Sequence, residues 1–211
     1  KEITTRKGKL RAIHCLENET YRRESLRISG VGDLFRALQE YDPHIIVHLT
    51  VANRDEIEFL RNSGKCAVVN PRANANLGLP LPPLGDLHRK GVPLLLGTDN
   101  VLLNSPGMFA EMDFTYKVMK SQYQDPQKPD PVEILKMATC NIHSLLGDDH
   151  YGYLECGLPA SFVVLDFQAP HLCRSRHIPA SIISRVTPED VLMTVHRGNI
   201  LYHNPLLENS S

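Results

Sequence analysis

Apolar residues along this chain gather into short continuous runs, and each run closes on a polar residue. Ala12-Ile13 leads to His14, Ile45-Ile46-Val47 to His48, Cys66-Ala67-Val68-Val69 to Asn70, and the run 92–96 to Gly97-Thr98-Asp99. Unbroken apolar runs of this length read as strands covered on both faces, as in parallel sheets. The stretches between them have helical spacing. Within 20–40, Leu26, Ile28, Val31, Leu34, Phe35 and Leu38 mark roughly one face of a helix after a turn, and Ile57, Phe59 and Leu60 mark the next over 54–62. Residues 70–83 hold Pro71, Gly78, Pro80, Pro82 and Pro83 and read as a long loop. A short helix over 84–90 follows, ended by Gly91. Strand alternating with helix predicts an α/β fold with a parallel sheet.

The second half begins with a helix over 109–123 and a proline-bearing loop over 121–131. Asp130 caps a helix that starts at Pro131 and runs to Thr139, and another spans 141–147. From Phe162 the pattern turns to short strands at 162–165, 191–195 and 199–202, with Arg197-Gly198-Asn199 as a hairpin-like turn. The expected organisation is a strand-and-helix body over 1–158, C-terminal strands over 159–205 and a frayed tail over 206–211. No internal repeat is visible.

Polar residues at strand ends carry the chemistry. In βα barrels the active site is built at the C-terminal tips of the strands. His14 offers an imidazole suited to zinc, with Glu17 three residues on as a proton carrier, and His48 and Asp99 end two further strands. Asp99 could instead cap the next helix. Asn74 and Asn76 could contact a substrate, and turn chemistry accounts for them equally well. Cys15 is read as a packed apolar residue facing away from His14. Glu111 is read as an anchor or a solvated residue, and Asp148-Asp149-His150 as solvated.

Composition narrows the function classes. The 211 residues are 42% hydrophobic and 22% charged, with a net charge of −1, which gives no footprint for nucleic acid or an anionic membrane. No run of about 20 apolar residues suggests a membrane span. Cysteines at 15, 66, 140, 156 and 173 are odd in number and form no C-x-x-C pair, so a reduced, cytoplasmic setting is expected rather than a disulfide framework or a zinc ribbon.

The order of these motifs resembles the amidohydrolase superfamily, in particular its branch of metal-dependent deaminases and chlorohydrolases related to cytosine deaminase. The resemblance rests on His14-x-x-Glu17, the strand-end His48, Asn70-Pro71-Arg72-Ala73-Asn74 and Gly97-Thr98-Asp99. It continues through 105–112, Met137-Ala138-Thr139-Cys140-Asn141 and the closing stretch 157–166, where Ser161 replaces the usual Asp. It implies the second half of a TIM-type (β/α)8 barrel, strands five to eight, followed by part of a small β-sandwich. It also implies roles: His14 and Asp99 as ligands of one divalent metal, zinc or else iron, Asp99 also deprotonating water, Glu17 shuttling protons and His48 polarising the bond under attack. The implied reaction is hydrolytic deamination of an aminated heterocycle, a small molecule.

One departure bears on function. The family's metal-binding His-x-His pair, from the first barrel strand, has no counterpart: among ten histidines no two stand two residues apart. Two protein ligands fall short of the usual three of a catalytic zinc. The expectation is an enzyme when an N-terminal segment, or a second copy, completes the site. The alternatives are an inactive, metal-free half-barrel that acts by binding or assembly, and a dihydroorotase-like cyclic amide hydrolase.

Overall fold

A computed structural model describes residues 9–146 and 152–205; the expectations for 148–150 and for the tail lie outside them. Strands β1 (Ala12–Cys15), β2 (Ile45–His48), β3 (Cys66–Val69) and β4 (Leu94–Leu96) form one parallel sheet in sequence order. In-register rows run Ile13–Ile46–Ala67–Leu94 and His14–Val47–Val68–Leu95. The connecting helices are α1 (Glu19–Ser29), α2 (Asp33–Arg36, prolonged by a π turn Ala37–Tyr41), α3 (Arg54–Ser63), α4 (Pro71–Asn76) and α5 (Leu84–Arg89). Beyond β4 come α6 (Met108–Tyr123), α7 (Pro131–Ala138), α8 (Asn141–Leu146) and α9 (Ile178–Arg185). A second sheet, β5 (Phe162–Leu165), β6 (Val191–His196) and β7 (Asn199–His203), is antiparallel in sequence order. Among the described residues no helix is long and apolar enough to cross a membrane.

The two faces of the parallel sheet differ. Ile46, Ala67, Val69, Leu94 and Leu96 are buried under the helices, in one core with Leu34, Leu60, Leu87 and Met119. On the opposite face Ala12 and His14 are exposed and Ile45, Val47 and Val68 are half-buried. Apolar β-branched residues left accessible on a parallel sheet are unusual, since such sheets are normally covered on both sides.

Several elements depart from the sequence reading, each for a local reason. The single helix expected over 20–40 is broken at Gly30, whose left-handed φ of 73° closes α1 with a bond from its N–H to Leu26 O. Leu26 and Ile28 are consequently exposed, while Leu34 on α2 enters the core. The expected loop at 70–83 contains α4, because Pro71 takes a first-turn position, where a proline lacks nothing the helix needs. Strand β4, Leu94–Leu96, is shorter than the apolar run 92–96. Helix α9 was not expected at all. Pro179 lies in its first turn, and it buries Ser181 and Ile183 against α6 and α7. The hairpin turn has positive φ at both Arg197 (48°) and Gly198 (79°), the conformation that matches strand twist.

Candidate functional site

The C-terminal tips of β1, β2 and β4 converge. His14 is the penultimate residue of β1, and its row places it on the same face as Val47. By strand alternation His48, one residue later on β2, would point to the helix side. It does not, because His48 has φ 80° and Leu49 φ 58°. Left-handed backbone at two successive non-glycine residues is costly and concentrates where function requires it. The twist turns the imidazole back, so that His48 Nε2 lies 3.2 Å from His14 Nδ1, the rings edge to face with centroids 4.6 Å apart. Leu16 (φ 53°) and Asp99 (φ 57°) repeat the left-handed turn at the other two tips.

Two carboxylates face the same nitrogen. Glu17 Oε1 and Asp99 Oδ2 each stand 4.0 Å from His48 Nε2. Asp99 caps no helix: its Oδ1 accepts from the N–H of Asn100 at 2.8 Å, and Gly107 precedes α6. The donor atoms of His14, Glu17 and His48 lie within 4.8 Å of one another. The His14 imidazole and the Glu17 and Asp99 carboxylates all stand within 4.0 Å of His48 Nε2, and nitrogen and oxygen donors of this kind suit zinc or iron(II), so these residues fit a divalent metal.

Neighbouring contacts set the orientation of these groups. Asn74, fully buried on α4, places Nδ2 3.2 Å from His48 Nδ1. With Nδ2 turned to the ring the amide donates, Nδ1 accepts and the ring proton falls on Nε2, facing His14 and the carboxylates, while Asn74 Oδ1 has no partner among the described residues. Burial pushes the His48 pKa below its ordinary value, with Glu17, Asp99 and the Asn74 hydrogen bond opposing and His14 assisting. The Thr50 hydroxyl donates to Leu16 O at 2.9 Å and also to Glu17 O, tying the β1 and β2 tips together. Gly97 is required by close approach: a Cβ there would come within 2.3 Å of Asn70 Oδ1 and 2.9 Å of Val68 Cγ1. Glu111 is wholly buried and paired with Arg72 at 3.3 Å, its pKa raised by burial against the pull of that arginine. Cys15 points away into the core, and its thiol is pushed up to about 12 by burial, with Asp33 adding to the effect.

The four residues singled out from the sequence therefore meet in space, and the closest trio is His14, Glu17 and His48, with Asp99 beside it. Sequence reasoning did not settle Asn74, which proves to touch His48, whereas Asn76 bonds Leu103 O at 2.8 Å. Nor did it find the left-handed tips, since neither histidine nor leucine signals positive φ.

A family model described as the amidohydrolase family matches residues 1–201. The chain belongs to the amidohydrolase family. A putative aminohydrolase of Methanothermobacter thermautotrophicus is 34% identical over 202 residues, covering 95% of this amidohydrolase chain and 49% of the relative. A 5-methylthioadenosine/S-adenosylhomocysteine deaminase of Syntrophus aciditrophicus is 29% identical over 196 residues, covering 90% and 44%. The chain thus spans about half the length of the curated relatives it matches. Among solved structures, an adenosine deaminase from Xanthomonas campestris with bound zinc superposes with a TM-score of 0.89 at 24% identity, covering 96% of this chain and 47% of that one. The zinc complex of atrazine chlorohydrolase from Arthrobacter aurescens gives 0.83 at 19% identity, covering 96% and 46%. These likenesses establish a shared fold.

Proposed function

We propose that this amidohydrolase chain is the second half, strands five to eight, of a (β/α)8 barrel followed by part of a small β-sandwich, and that the barrel hydrolytically deaminates an aminated heterocycle. The observation that carries the reading is the convergence of His14, Glu17, His48 and Asp99 from three strand tips on one point. The accessible second face of the sheet and the half-length coverage of the relatives support the half-barrel. Deaminase names among those relatives support the reaction.

His14 and Asp99 would hold a divalent cation, zinc by its N and O donors, with further ligands from the other half of the barrel. When bound, such a cation supplies Lewis-acid activation of water at neutral pH. The chain's own residues do the rest. Asp99 takes the proton from the attacking water. His48, neutral and carrying its proton on Nε2, donates a hydrogen bond toward the centre under attack. Glu17 delivers a proton to the departing nitrogen, so that water's oxygen forms the new bond to carbon, the C–N bond breaks and ammonia leaves. Asn74 keeps the His48 proton on the reacting side.

The test is ammonia release from a panel of 5′-methylthioadenosine, S-adenosylhomocysteine, adenosine and guanine by the zinc-loaded protein that contains this chain. Turnover of at least one, abolished by Asp99→Asn with an unchanged melting temperature, is expected. Turnover retained in that variant, or none with the whole panel, would overturn the reading.

A further inference from the structure

A cleft of about 450 Å³ opens between α6 and α9, and none of its lining residues belongs to the strand-tip site. Its walls bring together Lys120, Arg174, Arg176, His177 and Arg185, and among the described residues no carboxylate lines it. We propose that this cleft binds the phosphate group of a small molecule.

Charge and geometry both point there. Lys120 and the three arginines place four formal positive charges around one cleft. Several arginines elsewhere in the chain are held by acids, as Arg11 is by Asp42, Arg22 by Glu56 and Arg72 by Glu111. The guanidinium groups of Arg174, Arg176 and Arg185 have no ion pair or side-chain hydrogen bond among the described residues. Clustered like charges repel and raise the local concentration of anions. Guanidinium forks match the paired oxygens of phosphate, and several of them suit a dianion better than a single carboxylate. Lys120 is held in place over the Tyr116 ring, 4.0 Å from its centroid.

The helix end is not the attraction. His177 already takes the N–H of Ala180 and accepts that of Ser181 on its carbonyl. Recognition therefore falls to the side chains. The cleft lies within the usual size of small-molecule pockets, about 300–1,000 Å³, and so has room for an organic body beyond the phosphate.

The experiment is calorimetric titration of the whole protein, in buffer free of phosphate and sulfate, with inorganic phosphate and separately with adenosine 5′-monophosphate. Arg176→Gln and Arg185→Gln are compared with Arg27→Gln, an exposed arginine on α1, and melting curves verify folding in each. One saturable site is expected, weakened roughly tenfold in either cleft variant, the loss of one charge-assisted contact, and unchanged in the control. Tighter binding of the ester would identify a phosphorylated metabolite as occupant, and equal binding would identify free phosphate. Absence of saturable binding, or binding equal in all three variants, would mean an adventitious ion only and overturn the proposal.

Discussion

At the scale of single residues, the site depends on where protons and lone pairs sit. Under the proposed reading Asn74 donates to His48 Nδ1 across their 3.2 Å contact and so leaves the ring proton on Nε2. Replacing such an orienting partner typically costs about 10–100-fold in activity. Asn74→Ala should therefore lower kcat by that factor with little change in melting temperature. Asn74→Asp, which can only accept, should reverse the tautomer and fail to restore the rate, and full activity in the Asp variant would refute the orienting role. Cys15 offers a contrast. Adjacent to a site histidine, it is nonetheless 2% exposed and its thiol is raised to about 12, so it stays protonated and inert at neutral pH. Under native conditions iodoacetamide should label the exposed Cys156 and Cys173 and leave Cys15 unmodified, which peptide mass mapping would show. Labelling of Cys15 at a comparable rate would contradict the burial that separates it from His14.

At the scale of elements, short polar devices fix where strands begin and end. The turn Pro188–Asp190 before β6 is a capping box: Asp190 Oδ2 accepts from the Thr187 N–H at 2.8 Å, and His171 Nε2 stands 3.0 Å away. Burial works against this carboxylate, but Thr187 and His171 outweigh it and hold its pKa below the ordinary 3.8. A lowered folded-state pKa contributes stability that is complete above the unfolded value and is lost as pH falls through the folded one. Asp190→Ala should cost about 1–2 kcal/mol at pH 7, the size of a lost cap. The gap between the two proteins in urea unfolding should close as pH drops below 3.8. A gap that stays constant down to strongly acid pH would show that the carboxylate charge is not what matters. Helices α4 and α9 teach a related lesson. Pro71 reads as part of a loop in the sequence, yet it lies in the first turn of a helix, as Pro179 does in α9.

At the scale of the whole molecule, the parallel sheet is finished on one side only. Its helix-facing residues are buried, while His14 and Ala12 on the opposite face are exposed. Under the proposed reading that face is the barrel interior, and two of the protein ligands of the metal come from this chain. A catalytic zinc normally has about three. The 211-residue segment alone should therefore lose zinc on dialysis, and the protein carrying the preceding half of the barrel should retain it stoichiometrically by metal analysis. Stoichiometric retention by the segment alone would show that it forms a complete metal site by itself.

The sequence by itself determined the order of the strands and the chemistry at their tips. Apolar runs and the polar residues that end them are written in contiguous residues, so β3 and β5 fall where the pattern places them and His14, Glu17, His48 and Asp99 stand out. Tertiary structure decided what depends on backbone torsion and on partners distant in sequence. The left-handed turn at His48 reverses the face that strand alternation assigns to it, and Asn74 reaches that ring from 26 residues away. The cationic cleft joins Lys120 on α6 to arginines more than 50 residues later, around a helix the pattern did not reveal. Local propensity records none of these, because each is fixed only when packed elements hold the chain in a conformation it would not adopt alone.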